Sequence, residues 1–144
     1  MSAGSFRFVE GAPGDLSFLA RGPTAEAALV AAGEALLAAT LEDPAALEAR
    51  ETRRLRLAET EADLLLLRFL NELIYLRDAE QLLLRPTTLR VTRDGALRLD
   101  ARLEGERVDP ARHTLLSDVK AATAHGLVLR ETPDGWEARA TLDV

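Results

Sequence analysis

The sequence is expected to fold as an α+β protein, a two-layer sandwich in which two main helices pack on a mixed or antiparallel β-sheet. Several segments alternate apolar and polar side chains as half-buried strands do, while two longer segments carry apolar residues at helical spacing. The strands and helices follow no regular βαβ rhythm, which argues against the parallel doubly wound architectures.

Phe6 and Phe8, with polar or charged alternates, predict a short first strand, and Gly11-Ala12-Pro13-Gly14 breaks it. A second strand is expected from about Leu16 to Ala20, ending at Arg21-Gly22-Pro23, so that Asp15 stands where turn becomes strand. Thr24, Glu26 and a run of alanines open the first helix, with Ala25, Leu29, Ala32 and Leu36 on one face. Pro44 ends or interrupts that segment. Arg54-Leu55-Arg56-Leu57 alternates as a strand. Thr60 and Asp63 form a capping box for the second helix. That helix carries the heavier apolar face, Leu66, Phe69, Leu70, Leu73 and Leu76, and is expected to be the principal helical part of the core. Arg85-Pro86 marks a break before strands at Leu89–Val91 and Leu97–Leu103, hinged at Asp94-Gly95. Val108 to His113 is an irregular crossing loop. Two late strands follow, one from about Val119 to Arg130 with an irregularity near Gly126 and one from Trp136 to Asp143. In the last strand Trp136, Ala138, Ala140 and Leu142 point one way, and Glu137, Arg139, Thr141 and Asp143 the other.

At 144 residues the chain is the size of one domain, and a single domain over 1–144 is expected, with disorder confined to the first few residues. A hydrophobic fraction of 47% and a charged fraction of 29%, with both signs mixed, describe a folded chain. The absence of cysteine excludes disulfides, thiolate catalysis and a cysteine zinc site. Met1 to Gly14 lacks the basic start and apolar run of a signal peptide, and no apolar cluster, Leu64 to Leu67 included, is long enough to cross a bilayer. A cytoplasmic protein with no membrane partner is therefore expected. A formal charge of -6 disfavours a broad basic surface, so any RNA is expected to be held by a partner.

The chain contains no G-x-G-x-x-G, Walker or H-E-x-x-H pattern. Its C-terminus draws more interest. Asp143 and the terminal carboxylate of Val144 lie within two residues at the end of a well-patterned strand. Anionic groups held that close repel unless a cation or basic side chain neutralises them, and oxygen ligands favour a hard ion. Asp15, brought in from a neighbouring strand edge, would complete a three-carboxylate cup; the alternative is a solvated end with ordinary surface aspartates. His113, near Asp109, Arg112 and Lys120, suits a polar cleft made for a phosphate or a proton transfer, but on the residues alone a structural or loop-anchor role is favoured. The arginines of 50–56 are diluted by Glu48, Glu51 and Glu59 and suggest a solvated face. Tyr75 and Trp136 are lone aromatics and make no base-stacking platform.

The stretch Asp118-Val119-Lys120-Ala121-Ala122-Thr123-Ala124-His125-Gly126-Leu127, then Gly135-Trp136-Glu137-Ala138 and the terminal Leu142-Asp143-Val144, closely resembles the archease family. So do Leu70-Asn71-Glu72-Leu73-Ile74-Tyr75-Leu76 and Asp109-Pro110-Ala111-Arg112-His113. The pieces occur in family order over nearly the whole chain. The resemblance implies an α+β sandwich that is not itself an enzyme. Its implied role is to activate the GTP-dependent RNA ligase that joins 2',3'-cyclic-phosphate or 3'-phosphate ends to 5'-hydroxyl ends, promoting guanylylation and repeated turnover in tRNA splicing or RNA repair. It also implies a divalent cation, calcium with magnesium or manganese as alternatives, held by Asp15, Asp143 and the carboxylate of Val144. His113 and Lys120 would face the ligase or its guanylate. Two other functions remain open on the residues alone, a metal-dependent phosphoesterase and a metal-stabilised structural subunit. One stretch departs from the family: where archeases commonly have Glu-His-Thr before the aspartate, this chain has Glu10 and then Gly11-Ala12-Pro13-Gly14-Asp15, with no histidine and one extra residue.

Overall fold

The computed structural model describes residues 4–144; the expected disorder of the first few residues falls largely on 1–3, outside the described residues. Seven strands and two long helices follow in the order β1 (Ser5–Val9), β2 (Asp15–Gly22), α1 (Ala25–Thr40), β3 (Glu51–Glu59), α2 (Ala62–Glu80), β4 (Leu82–Arg93), β5 (Leu97–Arg107), β6 (Ala121–Thr132) and β7 (Gly135–Asp143), with a short 3-10 turn at Pro44–Ala46. The α+β class holds. The strands form two sheets, ordered β1-β2-β7-β6 and β3-β5-β4, and every pairing is antiparallel.

Both helices touch both sheets: α1 lies against β2 and β7 of one and β4 of the other, and α2 against β6 of one and β3, β4 and β5 of the other. One continuous apolar core results, with Phe18, Ala140 and Leu142 from the first sheet, Leu99 and Leu103 from the second, and Leu29 and Phe69 from the helices, all at or below 1% exposure. The two helices reach the core differently. No residue from Ala25 to Thr40 is exposed, whereas α2 turns Asp63, Leu64, Arg68, Tyr75, Asp78 and Ala79 to solvent. α1 can be enclosed because its side chains are small. At Gly33 even a methyl group would come within 2.9 Å of the Pro86 ring, so only hydrogen lets helix and strand close up. The lighter helix, not the heavier one, is thus the more deeply buried.

The Thr24 hydroxyl caps α1 by accepting from the Ala27 N–H at 3.1 Å. The capping box expected at Thr60 and Asp63 is absent: the N-cap of α2 is Glu61, without a side-chain cap bond, and Asp63 Oδ1 accepts from the Leu129 N–H of β6 at 2.8 Å. The tertiary partner has displaced the local one. Arg85-Pro86 likewise does not end a segment. β4 runs through it with a register shift between Pro86 and Thr88, a bulge that absorbs the missing proline N–H. The irregularity near Gly126 is larger: Thr123 pairs with Thr141 and Val128 with Arg139, so residues 124–127 loop out of β6. Gly126 sits at φ +67, in the left-handed region that glycine enters without steric cost.

Candidate functional site

The register of the four-stranded sheet dictates what its outward face carries. Asp15 is the cross-strand partner of Asp143, Ser17 of Thr141, Leu19 of Arg139 and Arg21 of Glu137. The alternate residues, Leu16, Phe18 and Ala20 facing Leu142, Ala140 and Ala138, point into the core. One end of the outward face therefore holds two carboxylates directly opposite each other. Partners in an antiparallel pair have Cβ atoms about 4.5–5.5 Å apart, and like charges there repel. The next row is a buried hydroxyl pair, Ser17 Oγ and Thr141 Oγ1 at 2.8 Å.

The backbone draws further groups to the same edge. The Val144 N–H donates to the Gly14 carbonyl at 3.1 Å, the Asp15 N–H to the Ala12 carbonyl at 2.9 Å and the Lys120 N–H to the Asp143 carbonyl at 2.8 Å. Asp15, Asp143, Val144 and Lys120 thus converge on one edge from three separate stretches of chain. Asp15, Asp143 and Val144 are half-buried, and Lys120 is exposed. Among the described residues no cluster of three or more His, Cys, Asp or Glu side chains is placed to hold a metal. The edge offers two side-chain carboxylates beside the main chain of Val144. An all-oxygen set of this kind suits a hard divalent cation, and a cation would relieve the repulsion between the paired aspartates.

Asp15 also borders a cavity of about 640 Å³ on the outward face. Its floor is Ser17, Leu19, Arg139 and Thr141, and its sides are the looped-out His125 and Gly126 and the Glu10–Ala12 turn. Sequence reasoning placed Asp15 and Asp143 together but did not find this cavity. The outward alternation of β7 was legible; its pairing with β2 and the fold of the β6 bulge over it were not.

His113 lies elsewhere and does a different job. Its side chain is 1% exposed, with Nε2 3.2 Å from Glu106 Oε2. Nδ1 accepts the Asp109 N–H at 2.8 Å, which places the proton of the neutral ring on Nε2, toward the carboxylate. The approach of Nε2 to Glu106 does not meet hydrogen-bond geometry; Glu106 instead accepts from Arg112 through both oxygens, at 2.6 and 2.9 Å, and from the Glu48 N–H at 2.7 Å. Burial alone would push the Glu106 carboxyl upward, but the Glu48 N–H, His113 and Arg112 together hold it below its ordinary value. The expectation that His113 faces a partner is corrected: a ring closed off from solvent, with Nδ1 occupied, anchors the 108–120 loop. That loop is also tied down where the Leu116 N–H meets the Thr40 carbonyl and where Arg77 reaches the Val119 carbonyl. The anchored loop delivers Lys120 to the edge beside Asp143.

No helix among the described residues is long and apolar enough to cross a membrane. The model of the archease protein family (MTH1598/TM1083) matches residues 6–144. The chain is 31% identical over 99 residues to the archease of Pyrococcus abyssi, covering 67% of this chain and 70% of that one. It is 27% identical over 132 residues to the archease of Methanosarcina acetivorans, covering 90% of each. The solution structure of protein 1598 from Methanobacterium thermoautotrophicum superposes with a TM-score of 0.85 at 27% identity, over 97% of this chain and 99% of that one. An archease from Thermotoga maritima, described as a possible chaperone, shares the fold at a TM-score of 0.64 and 19% identity, over 96% of this chain and 97% of that one. A family model that matches from within the first strand to the last residue means that the chain belongs to the archease family.

Proposed function

We propose that this archease is a non-catalytic activator of the GTP-dependent RNA ligase that joins 2',3'-cyclic-phosphate or 3'-phosphate ends to 5'-hydroxyl ends. It promotes guanylylation and multiple turnover of that ligase in tRNA splicing or RNA repair. The observation that carries this reading is the cross-strand pair Asp15 and Asp143 at one sheet edge beside Val144 and Lys120. Two carboxylates fixed opposite each other would hold a divalent cation, calcium with magnesium or manganese as alternatives, together with the Val144 carboxylate. Such a cation would supply positive charge where nucleotide phosphates react. The chain's own residues would orient it: the β2–β7 ladder fixes both aspartates, and the Lys120 N–H, donating to the Asp143 carbonyl, ties the anchored loop to the same edge. Docked at the ligase, this edge would help place metal and nucleotide for the ligase's own nucleophile.

The rival reading as a phosphoesterase needs a group that moves a proton in contact with solvent. His113, which would have to serve with the same carboxylates, is enclosed with Nδ1 accepting a backbone N–H. The deciding experiment measures guanylylation and multiple-turnover ligation by the organism's own ligase, with no addition, with wild-type protein and with Asp143→Ala. Strong stimulation by the wild type that drops to background with a folded D143A protein is the expected result. No stimulation by the wild type over a range of divalent cations and nucleotides would sink the proposal.

A further inference from the structure

The three-stranded sheet also turns one face to solvent, and register fixes what stands there. Arg54 pairs with Arg102, Arg56 with Asp100, Asp100 with Arg90, and Ala58 with Arg98. Five guanidinium groups from three strands therefore share one face around a single aspartate. Two adjoining hollows of about 530 and 350 Å³ cross this face and have Arg90 and Asp100 in common, so they form one groove walled by arginine. Five of the 18 basic residues of a chain with a formal charge of -6 stand on this one surface.

The carboxylates nearby do not match the arginines in number. Asp100 accepts from Arg54 at 2.7 and 3.0 Å and lies 3.7 Å from Arg56. Asp94 takes Arg98 at 2.8 Å, and Glu104 takes Arg102 at 3.4 Å. Arg90 has no ion pair among the described residues. Each guanidinium presents five N–H donors in a plane, so most of the donors on this face remain available, and the forked geometry matches phosphate. Thr88 and Thr92 line the same groove and add hydroxyl donors.

The face is also the wrong shape for the other partners a cationic surface attracts. Three strands at about 4.8 Å and five residues at about 3.4 Å span roughly 10 by 14 Å, far below the roughly 800 Å² per partner of a stable protein interface. The aromatic residues lie on β1, β2, α2 and β7, away from the groove, so nothing there stacks on bases.

We infer that the open face of β3-β5-β4 binds the phosphate backbone of a short single-stranded polynucleotide without reading its sequence. This site stands on the sheet opposite the aspartate edge and does not depend on the cation proposed there. Asp100 tempers it by drawing Arg54 and Arg56 away from a phosphate.

The test is fluorescence anisotropy of a labelled oligouridylate of about a dozen nucleotides and its deoxy counterpart, titrated with the full chain at low salt. Both are expected to bind saturably and within a few-fold of each other. For three or four phosphates held, log K should fall against log salt with a slope of about -2 to -3. The double charge reversal R56E/R90E should weaken binding by at least about tenfold, and R90Q, which breaks no ion pair, should weaken it by a few-fold. Asp100→Asn should tighten it, and D143A should leave it unchanged. No saturable binding by the wild type would overturn the inference. So would a folded R90Q protein with wild-type affinity, or equal binding of a polyglutamate of matching charge.

Discussion

Strand β5 carries two carboxylates that arginines grip in the same forked manner, Asp100 near its middle and Glu106 near its end. Arg54 holds the first through both oxygens and Arg112 the second. Their surroundings differ. The Asp100 side chain is 43% exposed and Glu106 only 4%. Asp100 is held below its ordinary value chiefly by its hydrogen bonds from Arg54, with Arg56 and Arg90 helping. Glu106 must first overcome its own burial, and does so with a backbone N–H, a histidine and an arginine. A two-pronged arginine–carboxylate pair is therefore open to solvent in one place and a fixed joint in the other. Water, which competes for the first and is kept from the second, makes the difference.

That contrast can be broken most forcefully at the buried end. Glu106→Gln removes the charge that Arg112 grips, leaving it only Glu48 at 3.9 Å, and takes a carboxylate away from the buried His113 Nε2. The expected cost is about 3 kcal/mol, to be read from urea unfolding. Loss of fixed signals from the 108–120 loop should accompany it in an NMR spectrum. A cost near zero would mean that the loop is held by its backbone bonds alone.

A smaller effect should follow from acid. The folded-state value of Glu106 lies below its unfolded value of about 4.3, so its contribution is fully present above that pH and disappears as pH falls through the folded value. Unfolding free energy should decline on the acid side of about pH 4 in the wild type and decline less steeply in the glutamine variant. Parallel acid limbs in the two proteins would show that other carboxylates control acid unfolding. The smallest change is expected at Asp100. Asp100→Asn should melt close to the wild type, with any difference removed by added salt. A large, salt-independent loss would place Asp100 with Glu106 as a structural joint and weaken the case for a surface open to phosphate.

The order and kind of the elements were legible in the sequence because alternation and helical spacing are local signals. Phe6/Phe8, the Asp94-Gly95 turn and the Trp136–Leu142 alternation all stand where expected. What the sequence hid was non-local. Alanine-rich α1 gave a weaker apolar signal than α2, yet closeness of approach, not side-chain bulk, decides which helix is enclosed. Asp63 had a plausible local partner and took a distant one, and Pro86 interrupts a strand that its neighbours carry through. The Asp15–Asp143 pair was left open by the residues alone and was implied by the family resemblance; the β2–β7 register supplies it. The arginine face did not, because residues 54, 56, 90, 98 and 102 are dispersed among acidic neighbours and share a surface only once three strands align. His113 was ambiguous because a polar loop and a buried anchor are built from the same residues.

The enclosure of α1 has a further consequence for how the molecule opens. A helix with a solvent side can fray or lift while the rest stays folded, and the exposed turns of α2 can behave in this way. α1 touches both sheets and exposes no residue along its length. Freeing its amide protons to water means parting the sheets, so those in its middle turns exchange only through the global unfolding reaction. The plainest stretch of the sequence is therefore the internal clock of its unfolding, the segment whose deuterium uptake reports the stability of the whole.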